Sequence, residues 1–221
     1  MIYMGKAPSM MRLQNIPLSV ATLFKGLIAV GASLLVISLA GNAGALAFQD
    51  TEVKNFGKVN DHIYRGAQPD GDDYKKLATI GIKTIIDLRE RPEKDARRLS
   101  EDAGLQYINI GLNDRRPPTE SESNHFLQLV SDENNWPVYV HCAGGRHRTG
   151  VLMAVYRMEV DGWDATRAYE EMKNYKFYSR FGHGDLKDYV FEYYDKMKAR
   201  RSALLSPELK ARQATGDGRD N

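Results

Sequence analysis

Two kinds of apolar pattern alternate along the chain. Short, β-branched or continuous apolar runs occupy residues 59–65, 82–88, 105–110 and 137–141, and runs of that length between turn signals read as buried strands. Between them, apolar residues recur at helical spacing. A turn over 66–71 leads into a helix capped by Asp70 or Asp72 and ending at Gly81, and residues 92–103 read as a second helix with Pro92 at its start and Gly104 beyond its end. A third spans 119–131, where Thr119 and Glu122 have capping-box spacing. Only helices follow His141, over 149–160, 164–174 and 185–200. This order predicts βαβ units and a single α/β domain with a central, largely parallel sheet flanked by helices. In such sheets ligands bind beyond the carboxyl ends of the strands, and Cys142 stands at one of those ends. The stripe Val151, Leu152, Ala154, Val155 and Met158 is the packed side of the helix that follows.

The first 47 residues follow another pattern. Lys6, Arg12 and Lys25 are their only charges, an uncharged apolar stretch runs from 26 to 48, and Ala45 and Ala47 have the spacing of a cleavage site before Phe48. A cleaved secretory signal is the reading. The alternative is an uncleaved anchor, since the stretch is about long enough to span a bilayer. Either places the basic end in the cytoplasm and the rest outside it, in a periplasm or on the outer face of the membrane. The expected organisation is a signal peptide or membrane anchor over 1–47, a folded domain over 48–201, and a flexible polar tail over 202–221.

Composition narrows the chemistry. The chain has 221 residues, 42% apolar and 27% charged, enough for one well-buried domain. Three of its 31 basic residues and none of its 29 acidic ones lie in the first 47, so the rest balances at 28 against 29. Such a balance gives no broad basic field for nucleic acid, and anion binding must be local. Cys142 is the single cysteine, which excludes an intramolecular disulfide and a multi-cysteine metal site. Asp61, His62, His125 and His183 lack metal-ligand spacing, and neither a metal nor a cofactor is expected.

The local site is His141-Cys-Ala-Gly-Gly-Arg-His-Arg-Thr-Gly150, between a strand and a helix. Five residues separate Cys142 from Arg148, the length needed to wrap backbone amides around one phosphoryl group. Gly144 and Gly145 allow the unusual dihedrals and the close approach, and the helix behind adds its positive N-terminus. These groups lower the pKa of the Cys142 thiol. The Arg148 guanidinium can grip two phosphoryl oxygens, and the Thr149 hydroxyl can donate to the sulfur. Ala143, Gly144, Gly145, Arg146, His147 and Arg148 form the expected substrate-binding loop, with Arg146 and His147 attracting polyanions. His141 is expected to orient the cysteine through a hydrogen bond.

The segment resembles the signature of the cysteine-dependent phosphatases, His-Cys-x-x-Gly-x-x-Arg-Ser/Thr-Gly, at every fixed position: His141, Cys142, Gly145, Arg148, Thr149 and Gly150. The likeness covers about residues 55 to 175. It is greatest to the atypical dual-specificity subgroup of plants, fungi and bacteria, whose Tyr-Arg-Ser-Gly-Gln-Pro segment is similar to Tyr64-Arg-Gly-Ala-Gln-Pro69. The resemblance implies a small catalytic domain with a shallow pocket. It also implies phosphomonoester hydrolysis through a cysteinyl-phosphate, with a phosphorylated protein or small phosphorylated molecule as substrate; a monomer is the expected state. The family takes its general acid from an upstream Asp, for which Asp114 is the candidate and Glu120 and Glu122 are rivals. Arg115 and Arg116 are either entrance cations or solvated loop residues. Asp87 and Arg89 are either a supporting ion pair or solvated strand-end charges. An inositol phosphate or pyrophosphate phosphatase, and a rhodanese-like sulfurtransferase carrying a persulfide on the cysteine, are the alternatives.

The export reading has a direct check. A topology reporter fused after Asp50 should be active only outside the cytoplasm, and recovery of the native protein from the cytosol with its first forty residues intact would overturn it.

Overall fold

The computed structural model describes residues 52–180 and 182–205; the basic and apolar head and the polar tail beyond Leu205 lie outside the described residues. Strands β1 (Gly57–Lys58), β2 (Ile63–Gly66), β3 (Thr84–Arg89), β4 (Gln106–Leu112) and β5 (Val138–His141) form one sheet in the order β1-β2-β5-β3-β4. All neighbours are parallel except β1 and β2. The architecture is thus α/β with a mixed sheet. The two-residue β1 left no periodic signal, and the strand expected over 59–65 begins only at Ile63. Asn60 turns the chain first, its Oδ1 accepting the amides of His62 and Ile63 at 2.9 and 2.8 Å.

Strand alternation divides the core between the faces of the sheet. Ile63, Ile86, Leu88, Val138 and Val140 meet Phe126 and Val130 of α3 (Glu120–Ser131) and Leu152, Met153 and Tyr156 of α4 (Arg148–Glu159). Tyr64, Ile85, Tyr107 and Tyr139 point the other way, onto Tyr74 and Leu77 of α1 (Asp73–Thr79) and Ala96 of α2 (Ala96–Asp102). Every side chain of β3 and β5 is buried, as continuous apolar runs in a sheet covered on both faces require. The other side of α4, with Val151, Ala154, Val155 and Met158, packs on α5 (Ala165–Asn174) and α6 (Gly184–Leu205).

Helix ends depart from expectation where side chains have other partners. The capping box of Thr119 and Glu122 forms, as does the Asp164 cap of α5, which accepts the Arg167 amide at 2.8 Å. Neither Asp70 nor Asp72 caps α1 through its side chain; instead Asp73 Oδ2 accepts the Asp70 amide at 3.1 Å. Helix α2 starts four residues later than Pro92, because Glu93 reaches back to Arg89 at 2.9 Å. Helix α6 runs past residue 201 into the segment expected to be tail. Among the described residues no helix is long and apolar enough to cross a membrane.

Candidate active site

Three parallel strands run side by side, with Gly66 at the end of β2 and Asp87 of β3 both in register with His141, the last residue of β5. Beyond this level the chain makes the loop 142–147 and enters α4 at Arg148, with Thr149 second. Cys142 is only 3% exposed and its thiol is free. No side chain caps α4, so the first amides of the helix remain for whatever the loop holds.

Outside partners fix the orientation of the loop's peptide planes. The Ala143 carbonyl accepts the Gln68 amide at 3.2 Å, the Gly144 carbonyl accepts Asn55 Nδ2 at 3.3 Å, and the Gly145 carbonyl accepts Asn55 Nδ2 at 3.0 Å and Arg65 Nη2 at 3.1 Å. In a planar trans peptide the carbonyl and the following N–H point in opposite directions. Holding three carbonyls outward therefore turns the amides of Gly144, Gly145 and Arg146 inward, and the Arg146 amide is among the donors to the Cys142 sulfur. Arg65 and Gln68 lie in the 64–69 segment that carried the family likeness; Asn55 left no sequence signal.

The two loop glycines are not equivalent. Gly145 has φ +63°, and a Cβ there would lie 2.3 Å from the carbonyl carbon and oxygen of Gly66 and 2.7 Å from the Ala67 nitrogen. It lets the loop rest directly on β2, while its amide is turned inward with those of Gly144 and Arg146. A Cβ on Gly144 would meet only the flexible Arg146 side chain, at 3.6 Å, so the expectation that both glycines answer a special backbone need holds for Gly145 alone.

Burial pushes the Cys142 thiol up, but the Thr149 hydroxyl and amide, the Arg148 charge and the Arg146 amide outweigh it and leave its pKa below the ordinary cysteine value. Among the described residues Thr149 Oγ1 is buried with no nitrogen or oxygen partner, and its hydroxyl donates to the sulfur. A cavity of about 280 Å³ opens over this group, lined by Cys142, Ala143, Gly144, Arg146, His147, Arg148, Asp114, Tyr178 and His183. Arg148 is steadied by Nη1, which donates to the Leu112 carbonyl at 3.2 Å. Asp114 lies on the exposed turn after β4, where Asn113 Oδ1 accepts the Arg115 amide at 2.8 Å, and is the one carboxylate lining this cavity among the described residues.

The rival acids are occupied elsewhere. Both oxygens of Glu122 are gripped by Arg116 at 2.8 Å, which holds its carboxyl down to about 2, and Glu120 meets Arg200 at 3.2 Å. Arg116 is thereby committed to the α3 cap and is no entrance cation. Arg115 does face the cleft, in a neighbouring cavity of about 600 Å³ shared with Arg89, Arg91, Asp114 and Arg148.

Asp87 and Arg89 are buried, not solvated strand-end charges. Asp87 accepts the Arg89 amide at 2.9 Å, Arg89 Nη2 at 3.2 Å and the Tyr107 hydroxyl at 2.8 Å. His141 is also buried, and burial drives its pKa to about 4 against the pull of Asp87. The ring packs on Tyr139, Asp87 Oδ1 is 3.9 Å from its Nδ1, and the Cys142 backbone is its hydrogen-bonding neighbour, the contact expected to orient the cysteine. His147 stacks on His183 with ring centroids 3.7 Å apart, and burial, then His183, takes its pKa to about 4. It is neutral near pH 7 and walls the cavity with Tyr178, so the loop's exposed cation is Arg146 and not His147.

The profile of the tyrosine phosphatase family matches residues 51–206, and the chain belongs to that family. Among relatives, the dual specificity protein phosphatase TpbA of Pseudomonas aeruginosa is 29% identical over 134 residues, 61% of this chain and 57% of that one. The inositol diphosphatase DSP5 of Arabidopsis thaliana is 30% identical over 123 residues, 53% of this chain and 59% of that one. The chain thus spans less than three fifths of each. The P. aeruginosa TpbA crystal structure superposes with a TM-score of 0.55 at 28% identity, covering 64% of this chain and 85% of that one.

Two outcomes follow from the loop geometry. Gly145→Ala should lose most soluble, active protein, because backbone faces the added methyl, whereas Gly144→Ala should keep a near-wild-type melting temperature and turnover. Alkylation of Cys142 by iodoacetamide should stay fast below the pH at which a free cysteine slows. Thr149→Ala removes a donor to the thiolate and should move the alkylation midpoint upward, while Thr149→Ser should not.

Proposed function

We propose that this phosphatase hydrolyses phosphomonoesters in two steps at Cys142. The thiolate attacks phosphorus in line, the bond to the leaving oxygen breaks, and Asp114 gives that oxygen its proton, leaving a cysteinyl-phosphate. Water then attacks the phosphorus, Asp114 takes its proton, and the thiolate leaves with orthophosphate, aided by the Thr149 hydroxyl. Arg148 and the inward amides hold the equatorial oxygens throughout. The observation that carries this reading is the cavity in which the depressed-pKa thiol of Cys142, the Arg148 guanidinium and the Asp114 carboxylate meet. Family membership sets the sulfurtransferase alternative aside.

A phosphorylated protein, with phosphotyrosine foremost, is the proposed substrate, in keeping with the TpbA likeness. The second reading, an inositol phosphate or pyrophosphate, is favoured by the neighbouring cavity with Arg91 and Arg115 and by the likeness to DSP5. Phosphate release by the domain from residue 48 onward, from phosphotyrosine peptide, phosphoserine peptide and inositol hexakisphosphate, decides between them. Cys142→Ser should abolish turnover on all three. We place the enzyme outside the cytoplasm, secreted or tethered through its N-terminal segment, on the strength of residues 1–47.

The role of Asp114 is tested by the basicity of the leaving group. A nitrophenolate leaves almost unaided, whereas general acid catalysis of a poorer leaving group is worth about 10²–10⁴-fold. Asp114→Asn should therefore slow phenyl phosphate hydrolysis far more than that of p-nitrophenyl phosphate, and should erase the fall in rate at high pH. Equal losses on both substrates with an unchanged pH profile would remove Asp114 from the role.

A further inference from the structure

Arg65 carries a charge that no step of the proposed reaction touches. It is the third residue of β2, and no part of its side chain reaches solvent. Burying a guanidinium is costly unless its hydrogens are matched, and an apolar side chain of similar volume would satisfy packing alone. Its hydrogens are only partly matched. Nη2 donates to the Gly145 carbonyl at 3.1 Å, while Nε and Nη1 have no hydrogen-bond partner among the described residues. The nearest carboxylate oxygen, Glu171 Oε2, is 4.0 Å from Nη1, and the other Glu171 oxygen is taken by Arg157 at 2.6 and 2.9 Å. The flat face of the guanidinium lies 3.8 Å from the centre of the Tyr175 ring. The charge is held in place by an aromatic face, one loop carbonyl and a 4.0 Å ion pair with Glu171, whose negative charge is shared with Arg157.

We propose that Arg65 is a positioning residue for the phosphate loop, locking the Gly145 carbonyl outward and setting an incompletely neutralised positive charge behind the bound anion. The first effect turns the Arg146 amide toward the sulfur. The second acts through the loop, without contact with substrate, on the thiolate and on every phosphoryl species bound over it. Burial draws the Arg65 pKa down to about 10, so the group remains a cation near neutrality, and Cys142 is among the charges that help keep it one. Tyr175 and Glu171 bring α5 and the residue after it into the same arrangement, linking the helical layer to the loop through a single side chain.

This inference rests on the phosphatase reading, and the test separates the two. The iodoacetamide midpoint of Cys142, inhibition by orthophosphate, and kcat and KM for p-nitrophenyl phosphate are measured for wild type, Arg65→Met and Arg65→Lys. Misplacing a catalytic constellation by about 1 Å costs on the order of 10²-fold, so Arg65→Met should lower kcat about 10- to 100-fold. It should also weaken orthophosphate inhibition and raise the alkylation midpoint. Arg65→Lys restores charge without the planar, hydrogen-bonding face, and should bring the midpoint back toward wild type while kcat stays low. A folded Arg65→Met with an unchanged midpoint and unchanged orthophosphate inhibition would overturn the proposal. Should Arg65→Met not fold, Tyr175→Leu at the half-buried ring must move both quantities in the same direction, and no movement overturns it equally. Wild-type protein that releases no phosphate defeats the phosphatase reading alone, because the alkylation midpoint is read without turnover.

Discussion

The site depends on one constraint: three consecutive carbonyls, those of Ala143, Gly144 and Gly145, are held away from the sulfur by groups that lie outside the loop. A loop of this length left to itself could present carbonyls or amides to its centre, and carbonyls would repel both a thiolate and a phosphoryl group. Gln68, Asn55 and Arg65 remove that choice before any ligand arrives. Preorganised dipoles of this kind need no rearrangement when charge develops, which is where their catalytic value lies.

The same constraint explains the fit between loop and sheet. Gly145 can approach β2 only because it has no Cβ to meet the Gly66 and Ala67 backbone. Gly66 is itself required by the Tyr139 ring, whose hydroxyl would lie 2.1 Å from an added methyl and donates to the Ala67 carbonyl at 2.7 Å. Tyr139 belongs to the central strand that ends at His141, just before Cys142, so the segment after β2 is fixed against β5 in the core and against the loop above it. The parallel register of Gly66 with His141 makes both contacts possible.

The element order and the chemistry of the cysteine loop were legible in the sequence because each rests on short-range regularities. Strand length, helical spacing, a capping box and a contiguous motif are all local. What was not legible is long-range pairing. Asn55 looked like any polar residue before a strand, yet it reaches Gly144, Gly145 and the Tyr175 carbonyl, about 90 and 120 positions away. Asp87 and Arg89 looked like solvated charges because nothing nearby announces that Tyr107 and Asn109 will close over them. His147 looked cationic because its stacking partner His183 lies on another loop. In each case the sequence showed the group and withheld its partner.

Charge bookkeeping at the site follows from those partners. The domain is near neutral overall, so its affinity for an anion arises from arrangement and not from net charge. Glu122 is spent on Arg116, Asp87 on Arg89 and Tyr107, and Glu171 chiefly on Arg157, each carboxylate being bound where it cannot oppose the loop. The cations left facing or backing the cleft include Arg115, Arg146, Arg148 and Arg65, while both nearby histidines of the motif are driven neutral by burial. Asp114 is then the exception among the acids. Among the described residues it is the one carboxylate lining the cavity over the sulfur. A carboxylate on that wall can serve both steps of the proposed reaction in turn, as donor to the leaving oxygen and then as acceptor from the water that replaces it.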